Sequence, residues 1–248
     1  MAMLHLLGTG AAFSASDRTT TMLAVSGPGS TVVVDCGGDV VPRLLAHRLE
    51  LDRVGALIVT HEHADHVSGF PLMMERLWLA GRARPLDVYG PPPAIAQVRR
   101  LHDSFDTSAW PGYPGARYHP VPLADAVPVL ADEDWDIVGA PGEHPVPALA
   151  LRIRDRHGGG VLAYSGDTEP APAIERLARD ADLLVHEATG DAPGHSSAAD
   201  AAGLAGRAGA RRLVLVHVGP GQAAPAEAVA RARHPDAHVG SDGEVMAF

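Results

Sequence analysis

Three histidines and two acidic residues occupy six consecutive positions of the chain, 61–66, with the sequence HEHADH. Imidazole nitrogens and carboxylate oxygens are the ligands that proteins offer to a borderline divalent cation such as zinc. In a loop that leaves a strand, His61 and His63 are two positions apart and can point the same way. Asp65 and His66 follow at once and can turn towards a second ion. The cluster therefore predicts a metal site.

Further candidate ligands stand where apolar runs stop at glycine or proline. They are His144 in PGEHPV, Asp167 in YSGDT and His217 in LVHVGP. One ion needs at least three protein ligands, so these distant residues are required as partners of the cluster. A carboxylate such as that of Asp167 can bridge two ions about 3.5–4 Å apart, which is the spacing of two-metal hydrolases.

The elements that must position these ligands alternate between strands and helices. Apolar runs between Gly, Ser and Pro turns predict strands, and apolar residues three and four apart predict helices. In the first half we expect strands at 3–7, 20–25, 30–37 and 55–60, and helices at 40–51, 71–81 and 94–105. In the last third we expect helices at 171–181, 196–209 and 225–233, and strands at 182–188, 211–218 and 238–248. The pattern indicates two packed sheets with helices outside.

Composition and charge restrict the class of protein. The chain has 248 residues, 46% of them hydrophobic, and a formal net charge of −10, which argues against broad binding to nucleic acid through Lys and Arg. The single cysteine, Cys36, rules out an intramolecular disulfide. The N-terminus has the pattern of a strand, and no apolar run approaches membrane-spanning length. We therefore expect a soluble cytoplasmic protein with no membrane segment.

The spaced motifs together resemble a known superfamily. THEHADH, a later isolated histidine, SGDT and a final histidine after a strand are similar to the motifs of the metallo-β-lactamase fold. LGTGAA, PLDVYGPP, HEAT at 186–189 and GHSSAADAA at 194–202 narrow the resemblance to its ribonuclease Z-like phosphodiesterase branch. The resemblance runs nearly end to end, so it implies a single hydrolase domain over residues 1–248.

The resemblance implies an α/β fold, a four-layer αββα sandwich, with two zinc ions at one edge between the sheets. Manganese or iron are the alternative metals. The implied ligands of the first ion are His61, His63 and His144. The implied ligands of the second ion are Asp65, His66 and His217, with Asp167 bridging the two. Di-iron, oxygen-reducing relatives carry glutamate at the second position of the cluster, so His63 favours zinc hydrolysis.

The resemblance also implies catalytic roles for Asp65, His195 and Glu187, in a reaction in which a metal-activated hydroxide attacks phosphorus. His195 would donate a proton to the leaving oxygen or stabilise its charge, and Glu187 would support it. The alternative for His195 is a helix cap, a role that Ser196 or Ser197 can also fill. The alternative for Glu187 is hydrogen bonding at a helix end.

Two smaller inferences concern residues outside the ligand set. Asp35, in VVVDCGG, matches an acid that orients ligand histidines in the family. The helix at 71–81 carries Trp78, and an apolar stripe exposed there would form a homodimer contact.

The distance between two ligands bears on the substrate. Transfer-RNA-processing members of this branch carry a long arm between the ligands that correspond to His144 and Asp167. Here these residues are 23 positions apart (167 − 144), which leaves room only for two strands and a turn. The sequence therefore favours a small phosphodiester such as a cyclic nucleotide. The alternatives are RNA, as for a ribonuclease Z-like endonuclease that processes transfer-RNA 3′ ends, a lactone or thioester, and a catalytically silent metal-binding module.

Overall fold

Two seven-stranded β-sheets pack face to face, and helices cover the outer face of each sheet, in the computed structural model, which describes residues 2–248. The predicted four-layer αββα sandwich is confirmed. Each sheet combines antiparallel strands with a run of parallel strands.

The first sheet has the strand order β14-β1-β2-β3-β4-β5-β6. Its strands are β1 (Met3–Gly8), β2 (Met22–Ser26), β3 (Thr31–Val34), β4 (Val54–Ile58), β5 (Leu86–Gly90), β6 (Ala116–Pro120) and β14 (Val245–Ala247). The helices on its side are α1 (Val40–Ala46), α2 (Ala64–Val67), α3 (Phe70–Leu79) and α4 (Pro92–Asp103).

The second sheet has the strand order β13-β12-β11-β10-β9-β8-β7. Its strands are β7 (Val127–Ala131), β8 (Trp135–Gly142), β9 (Ala148–Asp155), β10 (Val161–Tyr164), β11 (Leu183–Glu187), β12 (Leu213–Val216) and β13 (Ala237–Val239). The helices on its side are α5 (Pro172–Leu177), α6 (Ala198–Ala208) and α7 (Ala223–Arg231).

Alternate residues of each inner strand enter different layers of the core. In β4, Ala56 and Ile58 pack between the two sheets, whereas Leu57 packs against the α1, α3 and α4 layer. In β12, Val214 faces the other sheet and Leu215 faces α6 and α7. Because both faces are covered, these strands are continuous apolar runs, as expected for parallel strands buried on both sides.

Parallel strands from both sheets end at one edge of the sandwich. β4 continues into the 61–66 cluster, and β10, β11 and β12 continue into Asp167, Glu187 and His217. The carboxyl ends of parallel strands are where α/β proteins build their ligand sites. The fold therefore brings residues separated by more than a hundred positions to a common edge.

The predicted final strand at 238–248 is two strands, one in each sheet. β13 pairs with β12, and β14 pairs with β1, with Met3 opposite Ala247. A turn at 240–244, with Gly243 at a φ of 91°, separates them. The helix predicted at 171–181 is also shorter in the structure. α5 ends at Leu177, and a turn precedes β11.

Trp78 packs inside its own chain. Its ring stacks on Trp110 with centroids 4.8 Å apart, and its Nε1 donates to the carbonyl of Pro111. Leu72 and Leu79 of α3 are exposed, so the homodimer contact stays a prediction. Within residues 2–248, every helix is too short or too polar to cross a bilayer.

Close backbone packing at Gly37 yields a stability prediction. A Cβ at this position would lie 1.6 Å from the carbonyl oxygen of Asp65, so Gly37→Ala must displace the segment that carries the predicted ligands. We expect a loss of about 1–3 kcal/mol of unfolding free energy, with reduced metal content, measured by chemical denaturation and metal analysis.

The matched control is Gly206→Ala in α6, where a new Cβ would meet no atom within 4 Å. Alanine in a helix interior should stabilise the protein there by about 0.5–1 kcal/mol. Equal effects of the two substitutions would contradict the packing argument.

Candidate metal centre

Three imidazole rings converge just beyond the end of β4. His61 Nε2 lies 3.1 Å from His63 Nδ1, and His144 Nε2 lies 3.2 Å from the same His63 atom. Nitrogens bound about 2.0–2.1 Å from a tetrahedral zinc ion are about 3.3 Å from one another. Both distances match the spacing of ligands of one ion, and the three residues offer donor atoms within 4.8 Å of one another.

A second group of donor atoms, from Asp65, His66 and His217, adjoins the first. Asp65 Oδ2 lies 3.2 Å from His217 Nε2 and 3.4 Å from His66 Nε2. Asp167 stands between the groups, with its Oδ2 3.4 Å from His217 Nε2 and 3.6 Å from His66 Nε2. The same oxygen lies 3.9 Å from His61 Nε2. The structure thus brings all seven predicted ligand side chains into one cluster.

Two atoms of this cluster are buried without a hydrogen-bond partner in the described part of the chain, His66 Nε2 and Asp167 Oδ1. Their side chains are 0% and 2% exposed. An unsatisfied buried polar group costs about 1–3 kcal/mol, and a bound cation removes that cost. The donor set of imidazole nitrogens and carboxylate oxygens therefore fits divalent metal ions.

Asp35 fixes the orientation of the His66 ring. His66 Nδ1 donates to Asp35 Oδ2 at 2.8 Å, which leaves Nε2 for the cluster. Asp35 also accepts from the backbone N–H of Thr60 at 2.8 Å and from the Thr60 hydroxyl at 2.9 Å. Its backbone has a φ of 61°, a left-handed conformation that Asp tolerates better than most residues. Second partners of this kind raise the basicity of ligand histidines.

Two other histidine rings of the cluster are held by groups that the sequence gives no reason to single out. His144 Nδ1 donates to the carbonyl of Gly194 at 2.7 Å, and His217 Nδ1 lies 2.7 Å from the Thr189 hydroxyl. Thr189 ends the HEAT motif, where sequence reasoning singled out only the glutamate. A backbone carbonyl and a single hydroxyl belong to no sequence motif with a fixed spacing. Their contacts with the two histidine rings are therefore visible only in the folded structure.

Burial and mutual charge set the protonation of the cluster. Burial, and next the neighbouring His66, lower the pKa of His61 to about 2. Burial opposes ionisation of Asp167, but His217 and His66 outweigh it and hold its pKa well below the usual range. Burial likewise opposes the charge on His66, yet Asp35 and Asp167 raise its pKa well above 6.5. A cation that binds His66 Nε2 would therefore replace a proton.

The side chain of Glu187, at the end of β11, is 1% exposed and accepts four hydrogen bonds. Its Oε1 accepts from His195 Nδ1 at 2.9 Å, from the Thr168 N–H at 3.0 Å and from the Ser196 N–H at 3.2 Å. Its Oε2 accepts from the Thr189 N–H at 3.0 Å. Glu187 therefore contacts both the His195 imidazole and backbone donors.

His195 borders the cluster. Its ring stacks on His217 with centroids 5.7 Å apart, and its Nδ1 lies 4.0 Å from Asp167 Oδ2. The hydrogen bond to Glu187 raises the pKa of His195 above 6.5. Ser197 caps α6, in a capping box with Asp200, so the helix does not need His195 as a cap.

A cavity of about 440 Å³ adjoins the cluster on the His144 side. His144 forms part of its wall together with Pro145 and Pro193, and the exposed acids Glu143 and Glu169 complete it. Glu169 is anchored, because its Oε1 accepts from the Gly194 N–H at 2.7 Å. The wall is thus acidic on the side where one candidate ligand is accessible.

Comparison with known proteins supplies the context for this geometry. Residues 30–218 match the family model described as Beta-lactamase superfamily domain. A ribonuclease Z from Mycobacterium bovis is 31% identical, over 90% of this chain and 89% of the relative.

Solved structures share the fold. The metallo-β-lactamase fold protein YhfI from Bacillus subtilis superposes with a TM-score of 0.83 and 22% identity, over 100% of each chain. A diphosphatase from the PhnP family superposes with a TM-score of 0.79 and 19% identity, over 100% of this chain and 98% of that one.

The Asp35–His66 hydrogen bond predicts a loss of metal affinity on substitution. Asp35→Asn keeps the shape of the side chain and the left-handed backbone, but removes one acceptor oxygen. We expect zinc affinity to fall about 10–100-fold, measured by competition with a chromophoric chelator.

Asp87→Asn is the matched control, because Asp87 also accepts from a histidine, His119 at 2.7 Å, but belongs to none of the candidate metal-binding groups. Its zinc affinity should equal that of the parent protein. Unchanged affinity in Asp35→Asn would show that His66 does not bind the ion.

Proposed function

Because the chain belongs to the metallo-β-lactamase superfamily, we propose that it is a dinuclear zinc phosphodiesterase that cleaves a small phosphodiester such as a cyclic nucleotide. The observation that carries this function is the convergence of seven donor side chains beside the His195–Glu187 pair. A site that only stored metal would gain nothing from an oriented imidazole next to the ligands. We treat residues 1–248 as one domain, since both sheets contribute donor residues.

The ligand assignment follows the two groups of donor atoms. The first ion is assigned to His61, His63 and His144. Asp65, His66 and His217 would hold the second ion, and Asp167, which lies near donors of both groups, would serve both ions. Two bound cations lower the pKa of water to roughly 7 and offset the negative charge of a phosphodiester.

Side chains of the protein carry out the proton transfer and orient the attacking water. His195 donates its Nδ1–H to Glu187, so Nε2 is the atom that faces a substrate, and the hydrogen bond raises the pKa of the ring, which favours its protonated form. We assign His195 as the acid that protonates the leaving oxygen, and Glu187 as the group that holds it in place. Asp65, 13% exposed, is assigned a second role in orienting the attacking water through a carboxylate oxygen.

A short connection and the engagement of nearby arginines support a small substrate. β9 and β10 form a hairpin that fills the stretch between His144 and Asp167, as a part of the second sheet. Arg152 donates to backbone carbonyls at 2.7 Å and 2.8 Å, and Arg154 pairs with Asp136 at 2.8 Å. These arginines are engaged within the chain, so they form no free surface for a polyanion.

Zinc-loaded protein should hydrolyse bis-p-nitrophenyl phosphate and 3′,5′-cyclic AMP. Asp167→Ala should lose both metal and turnover. His195→Ala should keep its metal while kcat falls about 10²–10⁴-fold, measured by steady-state kinetics with metal analysis of the same samples.

His157→Ala is the matched control, because His157 also pairs with a carboxylate, Asp134 at 2.8 Å, but lies in the turn at the opposite end of β9 and β10 from His144 and Asp167. It should retain full activity. Turnover of a lactone or thioester, with neither diester cleaved, would contradict the phosphodiesterase assignment.

The ribonuclease Z relative, 31% identical, favours a second candidate, an endonuclease that processes transfer-RNA 3′ ends. A protein that neutralises six to ten phosphates loses about 10³–10⁵-fold in affinity between about 50 mM and 200 mM salt. We expect the affinity of this chain for precursor transfer RNA to fall no more than about tenfold over that range, without 3′ cleavage. A steep salt dependence together with a released 3′ trailer would establish the endonuclease instead.

A further inference from the structure

A cavity of about 290 Å³ lies between α3, the end of α4 and the loop that follows α4. Its wall is formed mainly by aromatic and aliphatic side chains, including Leu72, Phe105, Trp110 and Tyr113. None of the seven candidate ligands lines it. Its size is at the lower end of the range for small-molecule pockets, so an occupant would be a small molecule.

The aromatic wall is held in a fixed shape. The rings of Trp110 and Tyr113 stand at 85° to each other with centroids 5.3 Å apart, like two adjacent sides of a box. Trp78 stacks on Trp110 at an interplanar angle of 18°, and its Nε1 donates to the Pro111 carbonyl at 3.0 Å. These half-buried aromatic rings are therefore held in place by packing against one another.

Glu75 is the one acidic residue in the wall of this cavity. It is half-buried, and within residues 2–248 no basic side chain pairs with it, since its neighbour Arg76 pairs with Asp39. Its carboxylate lies near the Tyr113 hydroxyl: burial, and next the charge of Glu75, raise the pKa of Tyr113 to about 12. Glu75 thus brings negative charge to the aromatic box.

His102 adds no positive charge to the cavity. Its Nδ1 lies 2.8 Å from the Tyr118 hydroxyl and its Nε2 lies 2.5 Å from the Tyr113 hydroxyl, so both ring nitrogens are engaged. Burial lowers the pKa of His102, which keeps the ring neutral at pH 7. The field inside the cavity is therefore set by one carboxylate and by the negative faces of aromatic rings.

We propose that this aromatic box binds a small organic cation of the quaternary or alkylated ammonium class. Aromatic faces attract such a cation through their quadrupole, and Glu75 supplies the opposite charge. A neutral apolar ligand would leave the carboxylate desolvated without a partner, and an anion would be repelled by it. The methyl groups of a quaternary ammonium need no hydrogen-bond acceptors, which matches a wall made largely of rings.

Isothermal titration of the zinc-loaded protein tests the proposal with choline and with 3,3-dimethyl-1-butanol, its neutral isostere. Choline should bind about tenfold more tightly than the isostere, because only the charge differs between them. Glu75→Gln should remove most of that preference. Glu133→Gln is the charge-matched control, since it deletes an exposed acid between β7 and β8, outside the cavity, and should leave choline binding unchanged.

Three results would overturn the proposal: equal affinity for choline and its isostere, an unaltered preference in Glu75→Gln, or no detectable binding of choline. Sedimentation velocity gives a separate test. If the parent protein is a dimer and Trp110→Ala is a folded monomer, the box is an interface between copies of this chain and the proposal is wrong. Glu75→Gln lies at a half-exposed helix position, so the test does not depend on a variant that disrupts packing. Binding is measured without turnover, so the result is independent of the phosphodiesterase assignment.

Discussion

The donor atoms at the common edge of the two sheets repel one another and are shielded from water. The rest of the structure must hold them together against both of these costs. Several imidazole nitrogens approach one another at 3.1–3.2 Å, and two buried polar atoms of the cluster, His66 Nε2 and Asp167 Oδ1, have no hydrogen-bond partner in the chain from residue 2 onwards. Such an arrangement is unfavourable for the polypeptide alone. It persists because both sheets end at this edge, and because the outward ring nitrogens of His66, His144 and His217 are each hydrogen-bonded to a neighbouring group.

Backbone strain is also present at the same edge. Asp35 and His217 both have left-handed backbones, with φ of 61° and 56°, directly after strands. Gly37 lets the segment after β3 contact the backbone of the α2 segment, which is further tied by hydrogen bonds of Cys36 with His66 and Gly69. Strained residues of this kind survive where the surrounding structure fixes them, and they cluster at functional sites. The strands therefore act as anchors for short, tightly packed turns.

Pattern-based reasoning succeeds where chemistry and periodicity coincide. The four layers, most helices and strands, and the convergence of the donors at 61–66 with His144, Asp167 and His217 could be predicted, because ligand residues interrupt apolar runs. The supporting groups could not, since the Gly194 carbonyl and the Thr189 hydroxyl acquire meaning only through three-dimensional proximity. The aromatic box could not be predicted from the sequence for the same reason. Glu75 and Trp110 belong to different elements, and neither lies in a recognisable motif. The split of the final strand depends on pairing with two different sheets, which local sequence does not encode.

The pairing of β1 with β14 has a consequence for biosynthesis. Residues 3–5 pair with residues 245–247, so β1 and β14 can pair only after the roughly 240 residues between them have left the ribosome. Contacts so distant along the chain form late and slowly, because a large loop must be closed before they contribute. Until β14 has been synthesised, β1 has an unpaired edge, and the neighbouring early strands are rich in valine and leucine. That interval is when an emerging chain is most exposed to aggregation and most dependent on molecular chaperones.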